Sequence, residues 1–452
     1  MASPRTAEGS VPVNSPPDWH RPHWKMGLPG ILRFVVLFVW EILSNLPGML
    51  ALRAQYRKRR RDPARDPVIV CVGDNLDEVN GIALSSRILI RHLRARGKQA
   101  FLFGVAFHSR QPRTEEADGS VILSPGRFSM EQAGYAASEV VLPRLSHFIR
   151  FARLHPLDII EFQTPAPTTM LCLITARIAG IKTLSHYRTD ILTYSRLLVR
   201  NRLGVWIINT WTRLLTRMAG PVIVPSLAYR DKVAQMGVPE GRIFKLPRGV
   251  DLENYHPAKA AGGAWRDAGL PEDGVKLLYV GRISKEKNLE LLGKIFPALL
   301  AKQPDLSLVL VGDGPYREEL QGRLGKSRRV HFTGMVQGEK LAGLFASADI
   351  FVFPSLTDTF GNSVIEALAS GVPCIVSDQG GPPEIIVDGE CGLVFDSRRP
   401  GDLERKILEL AGDPGRLQAF KAKARERALH FSYDSSALAF WDFYCRYYRN
   451  GL

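Results

Sequence analysis

The chain has 452 residues, 45% apolar and 23% charged: too long for one core of ordinary size and too rich in core-forming residues to be disordered throughout. Its five cysteines, Cys71, Cys172, Cys374, Cys391 and Cys445, make no CxxC pair and have no histidine pair beside them, which excludes a disulfide framework and a zinc site and points to a reducing compartment. The net charge of +15 suits an anionic membrane or phosphate-bearing substrates, and the lack of any RRM, KH or zinc-finger pattern sets nucleic acid aside.

Residues 1–30 are rich in Pro, Ser and Gly and read as a flexible leader. Residues 31–52, ILRFVVLFVWEILSNLPGMLAL, are strongly apolar but interrupted by Arg33, Glu41 and Pro47. That is marginal for a spanning helix of about 20 apolar residues and fits better a helix lying on a membrane. The run RAQYRKRRR at 53–61 follows at once, a basic cluster of the kind an anionic leaflet attracts. The alternative is a helix packed on the protein's own surface with a solvated basic face.

From residue 67 the pattern changes. PVIVCVG (67–73), ALSSRILIRHLRARG (83–97) and QAFLFGV (99–105) read as strand, helix and strand of a βαβ unit. DIIEFQT (158–164), KTLSHY (182–187) and PVIVPS (221–226) continue one α/β domain over 67–254. LENYHPAKAAGGAWRDAG is Ala/Gly-rich and reads as a linker. A second domain, over 255–430, carries VKLLYVG (275–281), LSLVLVG (306–312), VHFTG (330–334), DIFVFP (349–354), PCIVS (373–377) and GLVFD (392–396). The segment 431–452 reads as an aromatic-faced helix that returns toward the first domain. Two doubly wound halves leave a cleft at the carboxyl ends of their strands.

Three motifs carry chemistry. In TDTFGNSVIEALASGVPCIVS (357–377) a helix opens near Ser363, with Asp358 before it and Glu366 inside it. Helix-terminal amides can face a phosphate, and the two acids can accept bonds from sugar and ribose hydroxyls. Plain helix capping explains the same residues equally well. In YVGRISKEKNLELL (279–292), Arg282 and Lys287 follow a strand end at Gly281, where two cations can neutralise a diphosphate. A solvated charge run is the alternative. VGDGPYREEL (311–320) is a glycine turn of low specificity.

Taken in order, YVGRISKEKN, VLVGDGP, HFTG and FPSLTDTFGNSVIEALASGVPCIVSDQGGPPEII resemble glycosyltransferase family 4. The resemblance implies an α/β GT-B fold, two Rossmann-like domains facing a central cleft behind an N-terminal apolar and basic extension. It implies a retaining hexosyltransferase (mannose or glucose type) that uses a nucleotide-diphosphate sugar. The family's acid-x7-acid motif falls on Asp358 and Glu366. By resemblance Arg282 and Lys287 hold the donor diphosphate, Glu366 the ribose and Asp358 the transferred sugar. Gly81, Gly281, Gly314, Met335, Phe360, Gly361, Asn362 and Ser363 surround the donor. Arg188 and Asp190, in HYRTDI, contact sugar or acceptor, with Arg188 standing where many members have His; an arginine cannot act as a neutral base. His186 is a possible substitute.

No DxD motif sits at a strand end, so no metal and no further cofactor are expected. The expected partners are a nucleotide-sugar donor, a lipid or glycan acceptor and an anionic membrane surface. The expected place is the cytoplasm, peripheral at the membrane's inner face. A soluble polysaccharide or small-glycoside acceptor, a GT-B phosphorylase or epimerase, and a non-catalytic scaffold are the competing readings. The intact Arg282, Lys287, Asp358 and Glu366 set argues against the last.

Overall fold

The computed structural model describes residues 28–59, 62–74, 76, 81–106, 113–115, 118–131, 139–199, 201–260, 263–267, 269, 271–324 and 327–451. The leader 1–27, the tip of the 74–81 loop, and Arg60 and Arg61 of the basic run lie outside the described residues.

Two parallel sheets dominate. The first contains β1 Ile69–Gly73, β2 Ala100–Ala106, β3 Arg113–Glu115, β4 Val121–Glu131, β5 Glu139–Pro143, β6 Ile159–Phe162, β7 Lys182–His186, β8 Val222–Val224 and β9 Ile243–Lys245. Its order is β3-β4-β2-β1-β6-β7-β8-β9, with β5 paired to β4. The second contains β10 Lys276–Val280, β11 Ser307–Val311, β12 Val330–Gly334, β13 Ile350–Phe353, β14 Cys374–Ser377 and β15 Gly392–Phe395, in the order β12-β11-β10-β13-β14-β15. All pairs in this sheet are parallel. Central strands such as β1 and β11 are buried along their whole length, as expected of sheets covered by helices on both faces.

Four segments depart from the sequence pattern. β3, β4 and β5 form an antiparallel edge, although Pro125 and Gly126 inside β4 look like a turn. The ladder shifts register between Gly126 and Phe128, and a Cβ on Gly126 would lie 2.4 Å from Val141 Cγ1. The glycine is a point of close strand approach rather than a stop. β9 is three residues long, too short to show a period. The expected linker is packed: Trp265 is 1% exposed and Tyr255 meets Phe345 edge to face, so burial of two aromatic rings overrides the Ala/Gly composition.

The fourth is the N-terminal segment. Leu28–Lys58 is one helix that runs through Pro47. Glu41 does not interrupt it. Its carboxylate is 1% exposed, pairs with Arg127 at 2.6 Å and accepts the Leu145 amide at 3.0 Å, at the start of the Leu145–Leu154 helix. Met49 and Leu52 are fully buried against the first domain, each worth roughly 1.5–3 kcal/mol. The opposite face leaves Leu32, Val35, Val36, Val39, Trp40, Leu43, Leu46 and Leu50 exposed. The helix is long and apolar enough to cross a membrane by length and composition.

At the other end, Tyr433–Asn450 crosses back onto the first sheet. Phe440, Trp441, Phe443, Tyr444 and Tyr448 share one core with Ile69, Leu102 and Ile159. Lys182 donates from β7 to the carbonyls of Tyr447 and Tyr448.

Candidate active site

The two halves touch through backbone and capping contacts. Ser226 and Tyr229 hydroxyls donate to the carbonyls of Thr359 and Thr357, both at 2.9 Å. The Thr359 hydroxyl donates to the Arg188 carbonyl at 2.9 Å. Glu384 accepts the amides of Leu227 and Ala228 at 2.9 and 2.8 Å and the Lys245 ammonium at 2.7 Å. The loop 357–360 is therefore pinned against the ends of β7 and β8.

On the C-terminal wall, the helix Asn362–Ala369 follows Gly361, whose φ of 107° is a left-handed value that suits glycine. Its start lies across from Gly81: a Cβ built on Gly81 would lie 3.8 Å from Asn362 Nδ2. Gly81 begins the helix Gly81–Ala95 on the opposite wall, so the two helix starts face each other. Gly314 leaves no room for a side chain: its Cβ would sit 2.3 Å from the Ile283 carbonyl oxygen. Gly281 ends β10, where the Tyr279 hydroxyl bonds the Arg282 carbonyl at 2.9 Å. Lys287 Nζ meets both oxygens of Asp358, at 2.7 and 2.9 Å. The residues assigned by resemblance to the phosphates and to the sugar are thus each other's partners without a donor. Phe360 is buried at 4% and packs on Phe431. Ser363 is half-buried at the helix start, while Met335 is 68% exposed after β12.

Glu366 lies one turn into the helix, partly open to the cleft but crowded by Tyr255 and Tyr433. Burial pushes its carboxyl up to about 7, against a hydrogen bond with Tyr255 that holds it lower. A carboxyl there takes up or releases a proton near neutral pH according to what binds beside it.

The N-terminal wall holds a buried polar network. Glu161 accepts from Gln163 at 2.5 Å and from the Tyr444 hydroxyl, and it meets His186 Nδ1 at 3.1 Å. Burial opposes its charge, but the hydrogen bond with His186 and the charge of Arg188 hold the carboxyl below its ordinary range. Burial and the Arg188 charge push His186 down to about 3, so its ring is neutral at pH 7. The residue is 4% exposed and its ring is stacked on Phe440, a position in the core. Asp190 is 1% exposed and caps the helix Ile191–Leu198: it accepts from the Thr193 amide and hydroxyl, from Tyr187 and from Lys232. With those partners its oxygens serve the helix start.

Arg188 and Arg248 complete the wall. Arg188 is 7% exposed and donates to Ser85 at 2.6 Å, one turn after Gly81. Arg248 comes from the junction PRGVD, donates to Asn362 Oδ1 at 3.2 Å and lies over the Phe360 ring. No local motif marks Arg248, because only the fold brings the junction to the helix start. Among the described residues no three His, Cys, Asp or Glu side chains converge as a metal site.

Residues 79–254 match the family described as Glycosyltransferase Family 4, and residues 265–427 match Glycosyl transferases group 1. A GDP-mannose-dependent alpha-mannosyltransferase of Mycolicibacterium smegmatis is 31% identical over 329 residues, 71% of this chain and 82% of that relative. The chain is a family 4 glycosyltransferase. The sulfoquinovosyl transferase of Arabidopsis thaliana is also 31% identical, over 74% of this chain and 63% of its own length. Sucrose-phosphate synthase of Thermosynechococcus elongatus shares the fold, with a TM-score of 0.69 at 22% identity over 84% of this chain and 98% of that one. The GT-B architecture and the nucleotide-sugar glycosyltransferase class follow.

A second apolar face escaped the sequence reading. The helix Arg202–Met218 has no acidic residue and exposes Leu203, Trp206, Ile207 and Leu214. It joins the N-terminal helix through an edge-to-face contact of Trp211 with Phe38. Its 3.6-residue period was legible, but which side faces solvent is decided by the tertiary packing.

Proposed function

We propose that this glycosyltransferase is a retaining hexosyltransferase that works without a metal ion and transfers to a lipid-borne acceptor at the cytoplasmic face of a membrane. The observation that carries the first part is Lys287, held against Asp358 at 2.7 Å just before the Asn362–Ala369 helix, with Arg282 following β10 on the same wall. Breaking the bond between the anomeric carbon and the diphosphate leaves charge on a phosphate oxygen. Fixed cations and amides meet that charge in place of a divalent ion. Lys287 exchanges its bond to Asp358 for the phosphate, and Asp358 then turns to a sugar hydroxyl. Glu366, as carboxylate, accepts the ribose hydroxyls. The acceptor oxygen bonds the anomeric carbon while its proton passes to the leaving phosphate, so no protein base is needed. That fits an arginine at 188 and a neutral, buried His186.

The membrane part rests on two apolar faces side by side, with Arg53, Arg57, Lys58, Arg202, Arg213 and Arg217 exposed around them. Apolar area with basic flanks favours an anionic lipid surface. The relatives above are named for two different sugars, mannose and sulfoquinovose, so the hexose is a matter for assay. UDP-, GDP- and ADP-sugars are to be screened for slow hydrolysis in EDTA, with the product anomer read by proton NMR. Turnover of one donor class with the α configuration kept supports the proposal. An inverted product, or activity only after Mg²⁺ or Mn²⁺ is returned, contradicts it.

A further inference from the structure

The guanidiniums of Arg188, which is buried, and Arg248, which is half-buried, are a pair of like charges whose Nε atoms are shut off from solvent. Each has an Nε that meets no hydrogen-bond partner, and among the described residues neither forms an ion pair. Glu161 lies close enough to act on Arg188 electrostatically, but its oxygens already serve Gln163, Tyr444 and His186. Burial and the charge of Arg188 push Arg248 down to about 9. An arginine is ordinarily charged far above neutral pH, so this is a region of high positive potential waiting for an anion. Its location is specific. Arg188 is tied to Ser85, behind Gly81, and Arg248 to Asn362 across from it. Asp358 acts on Arg248 from the side where it grips Lys287.

We propose that Arg188 and Arg248 together form a second anion site that holds a carboxylate, sulfonate or phosphate group of the substrate, in addition to the donor diphosphate. This rests on the transferase reading above. The diphosphate already has Arg282, Lys287 and the helix amides on the C-terminal wall, whereas Arg188 belongs to the other wall. The transferred sugar, placed next to Asp358, is the nearest source of such a group: an acidic hexosyl unit. Planar guanidiniums suit the two oxygens of a carboxylate or sulfonate. A neutral hexose would leave both charges unmatched.

The test measures calorimetric binding and slow hydrolysis of donor pairs that differ only at C6: UDP-glucose with UDP-glucuronate, and GDP-mannose with GDP-mannuronate. Wild type should favour the acidic member of one pair by tenfold or more. Arg188→Gln and Arg248→Gln should each cut that preference at least tenfold while changing the affinity for UDP or GDP alone by less than threefold. In a second arm, inositol and inositol phosphate are compared as acceptors. A charge preference that appears only there, and falls in the same variants, keeps the anion site and moves its source to the acceptor. Thermal unfolding checks the fold, and Arg188→Lys retains charge if Arg188→Gln unfolds; it should keep part of the preference. No preference for charge in either arm overturns the proposal. So does a loss of UDP or GDP affinity as large as the loss for acidic donors, which would give the pair to the diphosphate. Wild type that binds no nucleoside diphosphate at all would instead remove the transferase reading itself.

Discussion

On the C-terminal wall of the cleft the charged groups stand at loop ends, partly open, and they are paired so that the partners can be exchanged. Lys287 and Asp358 are 13% and 19% exposed, and either can leave the other for a ligand. On the N-terminal wall the charged groups are shut in. Glu161 and His186 are each 1% exposed in their side chains, and the hydroxyl that closes the network, Tyr444, arrives from the far end of the chain. The contrast separates two duties. The first wall meets the charge that develops on the leaving phosphate, and the Glu161 network of the second keeps a fixed shape behind the cleft. A group that must bind and release cannot also be a satisfied part of the core.

Breaking the first wall should give the largest effect on chemistry. Arg282→Ala and Lys287→Ala should each lower transfer a hundredfold or more, about 3 kcal/mol of transition-state stabilisation, with melting temperature little changed. Breaking the second wall should do the reverse. Glu161→Ala strands buried donors on His186, Gln163 and Tyr444. It should cost about 1–3 kcal/mol of stability for the unsatisfied groups, read as a lower denaturant midpoint. Turnover per folded molecule should change far less than in Lys287→Ala. Equal loss of activity in both variants would erase the distinction.

This division also explains what the sequence displays. The C-terminal wall is built from one strand–loop–helix after another, so Arg282, Lys287, Asp358 and Glu366 lie within short motifs and are legible there. The second sheet and the central strands of the first are legible for the same reason, as short apolar runs rich in valine, leucine and isoleucine, whereas β3, β4, β5 and β9 are not. The N-terminal wall is assembled from β6, β7, the 247–251 junction and the 433–450 helix, parts separated by up to 283 residues between Glu161 and Tyr444. No local spacing encodes that meeting. Arg248 lies outside the short motifs, and its contact with Asn362 depends on how the halves close. Asp190 followed Arg188 in a motif-like string, and in the structure it caps a helix and also meets Lys232, 42 positions away.

A smaller effect sharpens the comparison through pH. Glu366 sits near 7 in the free protein, and ribose hydroxyls prefer its carboxylate form. Binding then releases a proton, so nucleotide affinity should rise by up to about tenfold as pH increases from 6 to 8, most of it below pH 7, and level off above the pKa. Glu366→Gln should bind more weakly and lose that slope. A slope that survives the substitution would assign the titration elsewhere, with Asp74, pushed up to about 7 by burial, the first group to examine.

The smallest change expected in the cleft itself comes from the membrane faces. Trp206→Ser with Leu203→Ser should reduce sedimentation with anionic vesicles at low salt several-fold, and raising the salt should release part of the wild type. Hydrolysis of donor in solution should stay within twofold, because these side chains lie on the outer face of the Arg202–Met218 helix. Unchanged sedimentation would leave that face without a membrane role.

The central claim is that protein cations and helix amides do a metal's work at the donor phosphates. Titrating UDP and GDP into wild type and Lys287→Ala by calorimetry, in excess EDTA and again with Mg²⁺, tests it most directly. The account predicts that one of the two nucleotides binds wild type equally well with chelator or Mg²⁺, and that Lys287→Ala binds it much more weakly under both conditions. Binding that appears only with Mg²⁺, or that ignores the loss of Lys287, would contradict it.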